Sequence, residues 1–219
     1  MLRIDKDSRF EVIIVILFAI TLITILLSNI VYPWFSWTAS ILLLLLAAAN
    51  LLFHRVPERK RAGDGNTVSA VADGQIVEIR EVPEEEWVHG NCIKVSIYMN
   101  FFDVHANFWP VDGQVVYYQY YKGRKRLAFS PKASEDNEHS CTGILTPDGK
   151  QVFFKQLAGS FARRIVCYSK PGLQVRAGEQ CGIIKFGSRI DFYLPLDAQI
   201  VVKSGDRVRA CESVIARLG

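Results

Sequence analysis

The sequence predicts a mainly β domain, a barrel or sandwich of duplicated hairpins, carried behind a pair of transmembrane helices. Three observations lead there. No residue from Val12 to His54 carries a formal charge. From Thr67 onward the pattern changes to short alternating runs bounded by Gly and Asp. Within those runs, two pairs of turn-and-strand segments repeat almost residue for residue.

The apolar stretch is long enough to cross a bilayer twice, over about residues 12–29 and 35–53. Between them, Ile30-Val31-Tyr32-Pro33-Trp34 combines a proline with aromatic residues suited to a membrane–water boundary. Two helices joined by a very short turn account for this better than a cleaved signal peptide, whose apolar core is shorter and ends at small residues. Two buried helices of a soluble bundle are the competing reading. Arg3, Lys6 and Arg9 precede the first helix, and Arg55, Arg59, Lys60 and Arg61 follow the second. Positive flanks stay inside, so both ends are expected at the cytoplasmic face of the cell (inner) membrane.

The boundary is drawn at residues 1–61 for the anchor and 62–219 for the soluble domain, with Ala62-Gly63-Asp64-Gly65-Asn66 as linker. Ala72-Asp73-Gly74-Gln75 opens one strand, and Val111-Asp112-Gly113-Gln114 opens its repeat. Asn91 to Met99 alternates as a half-buried strand. Pro171 to Gly178 and Lys203 to Ala210 form the second repeated pair. Such hairpins also occur in lipoyl- and biotinyl-carrier domains. A carrier needs an exposed lysine at the hairpin tip, and Asp73-Gly74-Gln75 and Asp112-Gly113-Gln114 offer none. Helix is scarce after residue 60, although Phe153 to Cys167 has room for some.

The net charge of +4 is too mild for nucleic acid as the main partner, and it suits an anionic membrane surface. Cys92, Cys141, Cys167, Cys181 and Cys211 are widely spaced, with no zinc spacing, and read as reduced, mostly buried thiols in a cytosol-facing domain. Arg124, Lys125, Arg126 and Lys132 form a basic tract, and Arg163 and Arg164 a second. Both are candidate phosphate or headgroup contacts, with plain solvated surface as the alternative.

Of the histidines, His54 lies at the membrane boundary and His89 and His139 read as polar-loop residues. His105 directly follows a strand. No metal-ligand spacing links the four. Gly187-Ser188 sits between two strand-like runs, Ile183 to Phe186 and Ile190 to Leu194. Ser188, His105 and Asp73 are therefore a candidate nucleophile, base and orienting acid, although spacing alone does not establish the set.

Seven segments, in order, carry a family resemblance: Arg55-Val56-Pro57-Glu58-Arg59, Ala72-Asp73-Gly74, Asp103-Val104-His105, Pro110-Val111-Asp112-Gly113, residues 132–138, Ala162-Arg163-Arg164-Ile165-Val166 and Phe186-Gly187-Ser188-Arg189. The chain resembles the short, membrane-anchored phosphatidylserine decarboxylases, a pyruvoyl-dependent family. The resemblance implies self-cleavage between Gly187 and Ser188. Ser188 attacks the preceding carbonyl, amide becomes ester, and elimination then hydrolysis leave a pyruvoyl group at the new N-terminus. It also implies a Schiff base with phosphatidylserine, loss of CO2, and release of phosphatidylethanolamine. His105 is then the expected base and proton donor, with Asp73 orienting it. The two products, a large chain ending at Gly187 and a small one beginning at 188, are expected to stay paired, with higher oligomers left open. Archaetidylserine as substrate and a non-catalytic barrel-type membrane adaptor are the alternatives.

This chain departs from the longer branch of the family in one respect that matters. A second histidine found there, three residues after the first, is Phe108 here. The longer branch also reads Leu-Gly-Ser-Thr where this chain has Phe186-Gly187-Ser188-Arg189. Val71 and Val56 replace a usual proline and a common acidic residue.

Overall fold

The computed structural model describes residues 3–28, 32–123, 137–159, 164–185 and 188–219. The chain divides into two units, Met1–Glu58 and Arg59–Gly219.

In the first unit, α1 (Arg9–Ser28) and α2 (Pro33–Phe53) are each long and apolar enough to cross a membrane. The helix α1 starts a turn earlier than the charge-free stretch suggests. A charge bars a residue from the bilayer core but not from a helix, so Arg9 and Glu11 are helical. Pro33, read from sequence as part of the segment joining the helices, is the first residue of α2, where a missing N–H costs nothing. Thr21, Thr24 and Thr38 donate their hydroxyls to carbonyls one turn back, at 2.9, 2.9 and 2.7 Å. These three hydroxyls are thereby satisfied within the helix, as an apolar surrounding requires. The flanks meet in a two-stranded ladder, β1 (Arg3–Ile4) against β2 (Arg55–Val56).

The second unit is mainly β, as the alternation predicts. Its strands are β3 (Thr67–Ser69), β4 (Gly74–Glu84), β5 (Gly90–Met99), β6 (Ala106–Phe108), β7 (Gly113–Tyr121), β8 (His139–Leu145), β9 (Gln151–Ala158), β10 (Arg164–Cys167), β11 (Gln174–Val175), β12 (Gln180–Lys185), β13 (Ser188–Leu194), β14 (Gln199–Ile200), β15 (Arg207–Val208) and β16 (Val214–Arg217). Eight form one curled antiparallel sheet in the order β11-β7-β8-β9-β13-β5-β4-β15. Two three-stranded sheets, β10-β12-β6 and β14-β16-β3, complete the unit.

The sheet's inner face carries the main core. Ile97 and Met99 of β5, Phe154 of β9, and Ile190 and Phe192 of β13 pack there with Val68, Ile184 and Ile215 from the smaller sheets and with Trp109 just past β6. The helix allowed for between Phe153 and Cys167 is absent among the described residues. Val152, Phe154 and Gln156 are buried inward, while Phe153 and Leu157 fill the opposite face, so both faces of β9 demand strand period. A second cluster on the outer face, Cys92, Cys141, Phe153 and Tyr193, lies under Trp87. The Glu84 carboxylate holds that covering turn by accepting the N–H groups of Glu86, Trp87 and Val88 at 3.1, 2.9 and 2.8 Å.

The repeats seen in sequence are real in space. The short strand β15 pairs with the start of β4 (Arg207↔Gln75, Val208↔Gly74), and β11 pairs with the start of β7 (Gln174↔Gln114, Val175↔Gly113). Each repeat thus ends one edge of the large sheet.

Candidate active site

Ser188 is the first residue of β13, a central strand of the large sheet, facing Met99 of β5 on one side and Ala158 of β9 on the other. The chain leaves the β10-β12-β6 sheet at Lys185 and enters the large sheet at Ser188, changing sheets across two residues. Gly187 lies outside the described residues. The Ser188 side chain is fully buried, and its hydroxyl donates to the Met99 thioether sulfur at 3.2 Å. Sulfur is a weak acceptor, so little holds that proton or fixes the oxygen.

His105 precedes β6 and is also fully buried. Its Nδ1 lies 2.9 Å from the Asp103 carbonyl oxygen. A carbonyl can only accept, so Nδ1 donates there, and a neutral ring would present Nε2 as its basic nitrogen. The His105 carbonyl accepts the Ile184 N–H at 3.3 Å, which ties the residue to β12 just upstream of Ser188. Met99, against Ser188, and His105 are the two ends of one short connection.

Asp73 does not bond His105 among the described residues. Its carboxylate takes both ends of the Arg59 guanidinium, with Nη2 at 2.7 Å from Oδ2, and the Ala210 N–H at 2.9 Å. A link to His105 exists at one remove. The Phe108 N–H donates to the Val71 carbonyl at 2.9 Å, joining β6 to the turn that carries Asp73.

A profile of the phosphatidylserine decarboxylase family matches residues 46–216. The chain is 44% identical over 169 residues to a phosphatidylserine decarboxylase proenzyme of Parabacteroides distasonis, covering 77% of each chain. It is 46% identical over 167 residues to the Bacteroides fragilis proenzyme, covering 76% of this chain and 73% of that one. A third, from Desulfotalea psychrophila, is 39% identical over 175 residues, covering 80% and 82%. The chain belongs to the phosphatidylserine decarboxylase family.

Within that family setting, Arg164 is the described member of the basic candidates. It is exposed at the start of β10 and pairs with Lys185, the last residue of β12 before the sheet change. Arg124, Lys125, Arg126, Lys132 and Arg163 lie outside the described residues.

Sequence reasoning missed a buried charge row behind the decarboxylase candidates. Ser188, Ile190 and Phe192 point to the core, so Arg189 and Asp191 point to the outer face, yet both are buried. Arg189 Nε lies 2.8 Å from Asp191 Oδ1, and Lys94 Nζ lies 3.5 Å from Oδ2 and 3.0 Å from Glu78 Oε2. Burial alone would raise the Asp191 carboxyl, but Arg189 and Lys94 hold it below the ordinary carboxylate range. The signal was available: two charges at alternate positions of an otherwise apolar strand.

His139 was read as a loop residue and is instead the buried first residue of β8, stacked on Tyr121 at 4.7 Å. It comes within 4.8 Å, ligand atom to ligand atom, of Glu86 and Cys141, a grouping no linear spacing reveals. Lys155 Nζ sits 2.7 Å from Glu86 Oε2 and supplies that carboxylate with a cation. Burial pushes the Cys141 thiol up, away from the thiolate a metal would need.

Proposed function

We propose that this chain is a phosphatidylserine decarboxylase that forms phosphatidylethanolamine and CO2 with a pyruvoyl group made from its own Ser188. The observation that supports this reading most is the setting of Ser188: a buried hydroxyl against a weak acceptor, at a change of sheet, with buried His105 tied to the strand before it.

In the first reaction His105 Nε2 takes the Ser188 Oγ proton, and Oγ attacks the carbonyl carbon of residue 187. The amide nitrogen receives a proton and departs, leaving an ester. Loss of the Ser188 α-proton then expels the residue 187 carboxylate, and hydrolysis of the remaining enamine releases ammonia and leaves a ketone. That ketone supplies an electron sink for the carboxylate-bearing carbon of an amino-acid headgroup. Ser188 fits this role because the hydrogen-bond partner described for its hydroxyl, the Met99 sulfur, is a weak acceptor.

In turnover, His105 Nε2 holds the proton that the headgroup carbon takes as CO2 leaves. With Phe108 at the place of the second histidine, His105 serves both reactions. Asp73 acts as a positioning residue, through the turn that Phe108 grips. Arg164, at the start of β10, is the described candidate for meeting a lipid phosphate, with Arg124, Lys125, Arg126, Lys132 and Arg163 as further contacts. The small chain from 188 onward keeps β13 laddered between β5 and β9, so the two products remain one heterodimer. The positive flanks of the two apolar helices support a reading in which the domain works at the cytoplasmic face of the inner membrane.

Denaturing mass spectrometry tests this. Two chains divided between residues 187 and 188 are expected, the small one blocked at its N-terminus. Ser188→Ala should give one chain and no CO2. An intact wild-type chain after long incubation, inactive on phosphatidylserine vesicles, overturns the reading.

A further inference from the structure

The connection between β5 and β6 holds two phenylalanines outward, with Phe102 83% and Phe101 49% exposed. Their rings meet edge to face, centroids 5.6 Å apart. The loop beneath them is braced rather than loose. Asn100 Oδ1 accepts the Phe102 N–H at 2.9 Å, Asp103 Oδ2 accepts the Asn100 N–H at 2.8 Å, and the Asp103 N–H returns to the Asn100 carbonyl at 3.2 Å. An exposed aromatic pair on a pre-formed turn wastes apolar burial in water and is typical of a surface that meets something apolar.

Charge decides what that is. The only carboxylate of the tip, Asp103, is neutralised by Arg207 Nη2 at 2.6 Å, and Arg207 itself stays more than half exposed. Lys203 and Arg209, on either side of β15, are exposed as well. Arg209 shares its charge with Glu212 at 3.7 Å, but Arg207 remains exposed at the tip itself. An apolar tip whose one carboxylate is paired with an exposed arginine matches the headgroup–acyl boundary of an anionic bilayer. Position completes the case. The tip lies between Met99, which faces Ser188, and His105, both buried. A two-chain lipid must lift its headgroup toward those residues from the bilayer.

We infer that Phe101 and Phe102 are an interfacial wedge that seats the catalytic domain in the lipid surface beside its site, so that a bilayer-embedded amino-acid phospholipid can enter. The inference rests on the decarboxylase reading for its kinetics but not for its physical test. The full-length protein is reconstituted in phosphatidylglycerol vesicles containing phosphatidylserine, and the Phe101→Ser/Phe102→Ser variant is compared with the parent. Both should self-cleave completely. The variant's KM for bilayer phosphatidylserine should rise roughly tenfold or more, from the lost burial of two rings. Its kcat/KM on a short-chain phosphatidylserine dispersed as monomers should stay within about twofold. Equal loss on both substrates, or unchanged bilayer kinetics, overturns the wedge. A changed oligomeric state with unchanged bilayer kinetics assigns the tip to a second copy of the chain instead. Should the parent prove inactive, which sinks the decarboxylase reading, Phe102→Trp still decides. Its added fluorescence should be quenched by lipids brominated near the headgroup, and absence of extra quenching over the parent overturns the wedge.

Discussion

Asp73 and Asp112 occupy the same setting near opposite edges of the eight-stranded sheet. Each opens a repeated Asp-Gly-Gln turn, each bonds an arginine just ahead of the linker, and each accepts the N–H of an alanine just past a paired short strand. For Asp73 these are Arg59 and Ala210, and for Asp112 they are Arg61 at 2.5 Å and Ala177 at 2.8 Å. A residue proposed to support His105 therefore has a structural twin far from it in the sheet order. Burial raises the Asp112 carboxyl, while the Ala177 N–H and Arg61 more than reverse it, so its pKa is lowered.

The twins separate catalysis from folding. Asp73→Asn and Asp112→Asn each weaken one charged bracket, by about 1–3 kcal/mol, with Asp112, the more exposed, at the low end. Only Asp73→Asn should also slow chain splitting, read by denaturing gel against time. Matching cleavage rates in the two variants would leave Asp73 a purely structural residue.

Gly74 is required by close approach. A Cβ there would meet the Tyr98 carbonyl oxygen and the Ile97 side chain. Gly74→Ala should lower stability by about 1–3 kcal/mol in denaturant unfolding. Gly90→Ala, where a Cβ meets nothing within 4 Å, should change it by roughly 0.5 kcal/mol or less. Indistinguishable midpoints would show that β4 can shift away from β5.

Removing the anion of the buried charge row should be among the costliest changes. Asp191→Ala leaves Arg189 and Lys94 facing its place without it, and breaking such a buried pair costs about 3–5 kcal/mol. Thermal unfolding of the purified full chain measures this. A loss under about 1 kcal/mol would mean that water or other groups take over the carboxylate's role.

Stability should fall with mild acid through His139. Burial leads the causes that lower its pKa below the ordinary 6.5, the Asn137 carbonyl opposing. The unfolded chain then binds the proton more readily than the native one, so stability is full above 6.5 and is lost as pH drops below it. The unfolding temperature should decline between about pH 7.5 and pH 5.5, and His139→Phe, which keeps a ring against Tyr121, should flatten that decline. An identical slope in the variant would place the titration elsewhere.

Much of this molecule was legible because its signals are local. The apolar run, the period-two strands and the repeated Asp-Gly-Gln turns each act within a dozen residues, so composition and spacing suffice to read them. The ordered motifs around His105 and Ser188 pointed to the family by the same route. What misled was also local: Pro33 marks a helix start as readily as a break, and His139 sits in polar company in sequence but under Tyr121 in space.

The sequence by itself determined two membrane-length helices, a β domain of duplicated hairpins and a short set of chemical candidates. Tertiary structure decided which candidates touch. Asp73 meets Ala210 and Arg59 rather than His105, Arg207 neutralises Asp103 across more than a hundred residues, and Asp191 is buried against Lys94. These outcomes depend on strand order and register, since a shift of one residue turns every side chain of a strand to the other face. Such pairings are set by the packing of the whole sheet, and no window of the chain contains them.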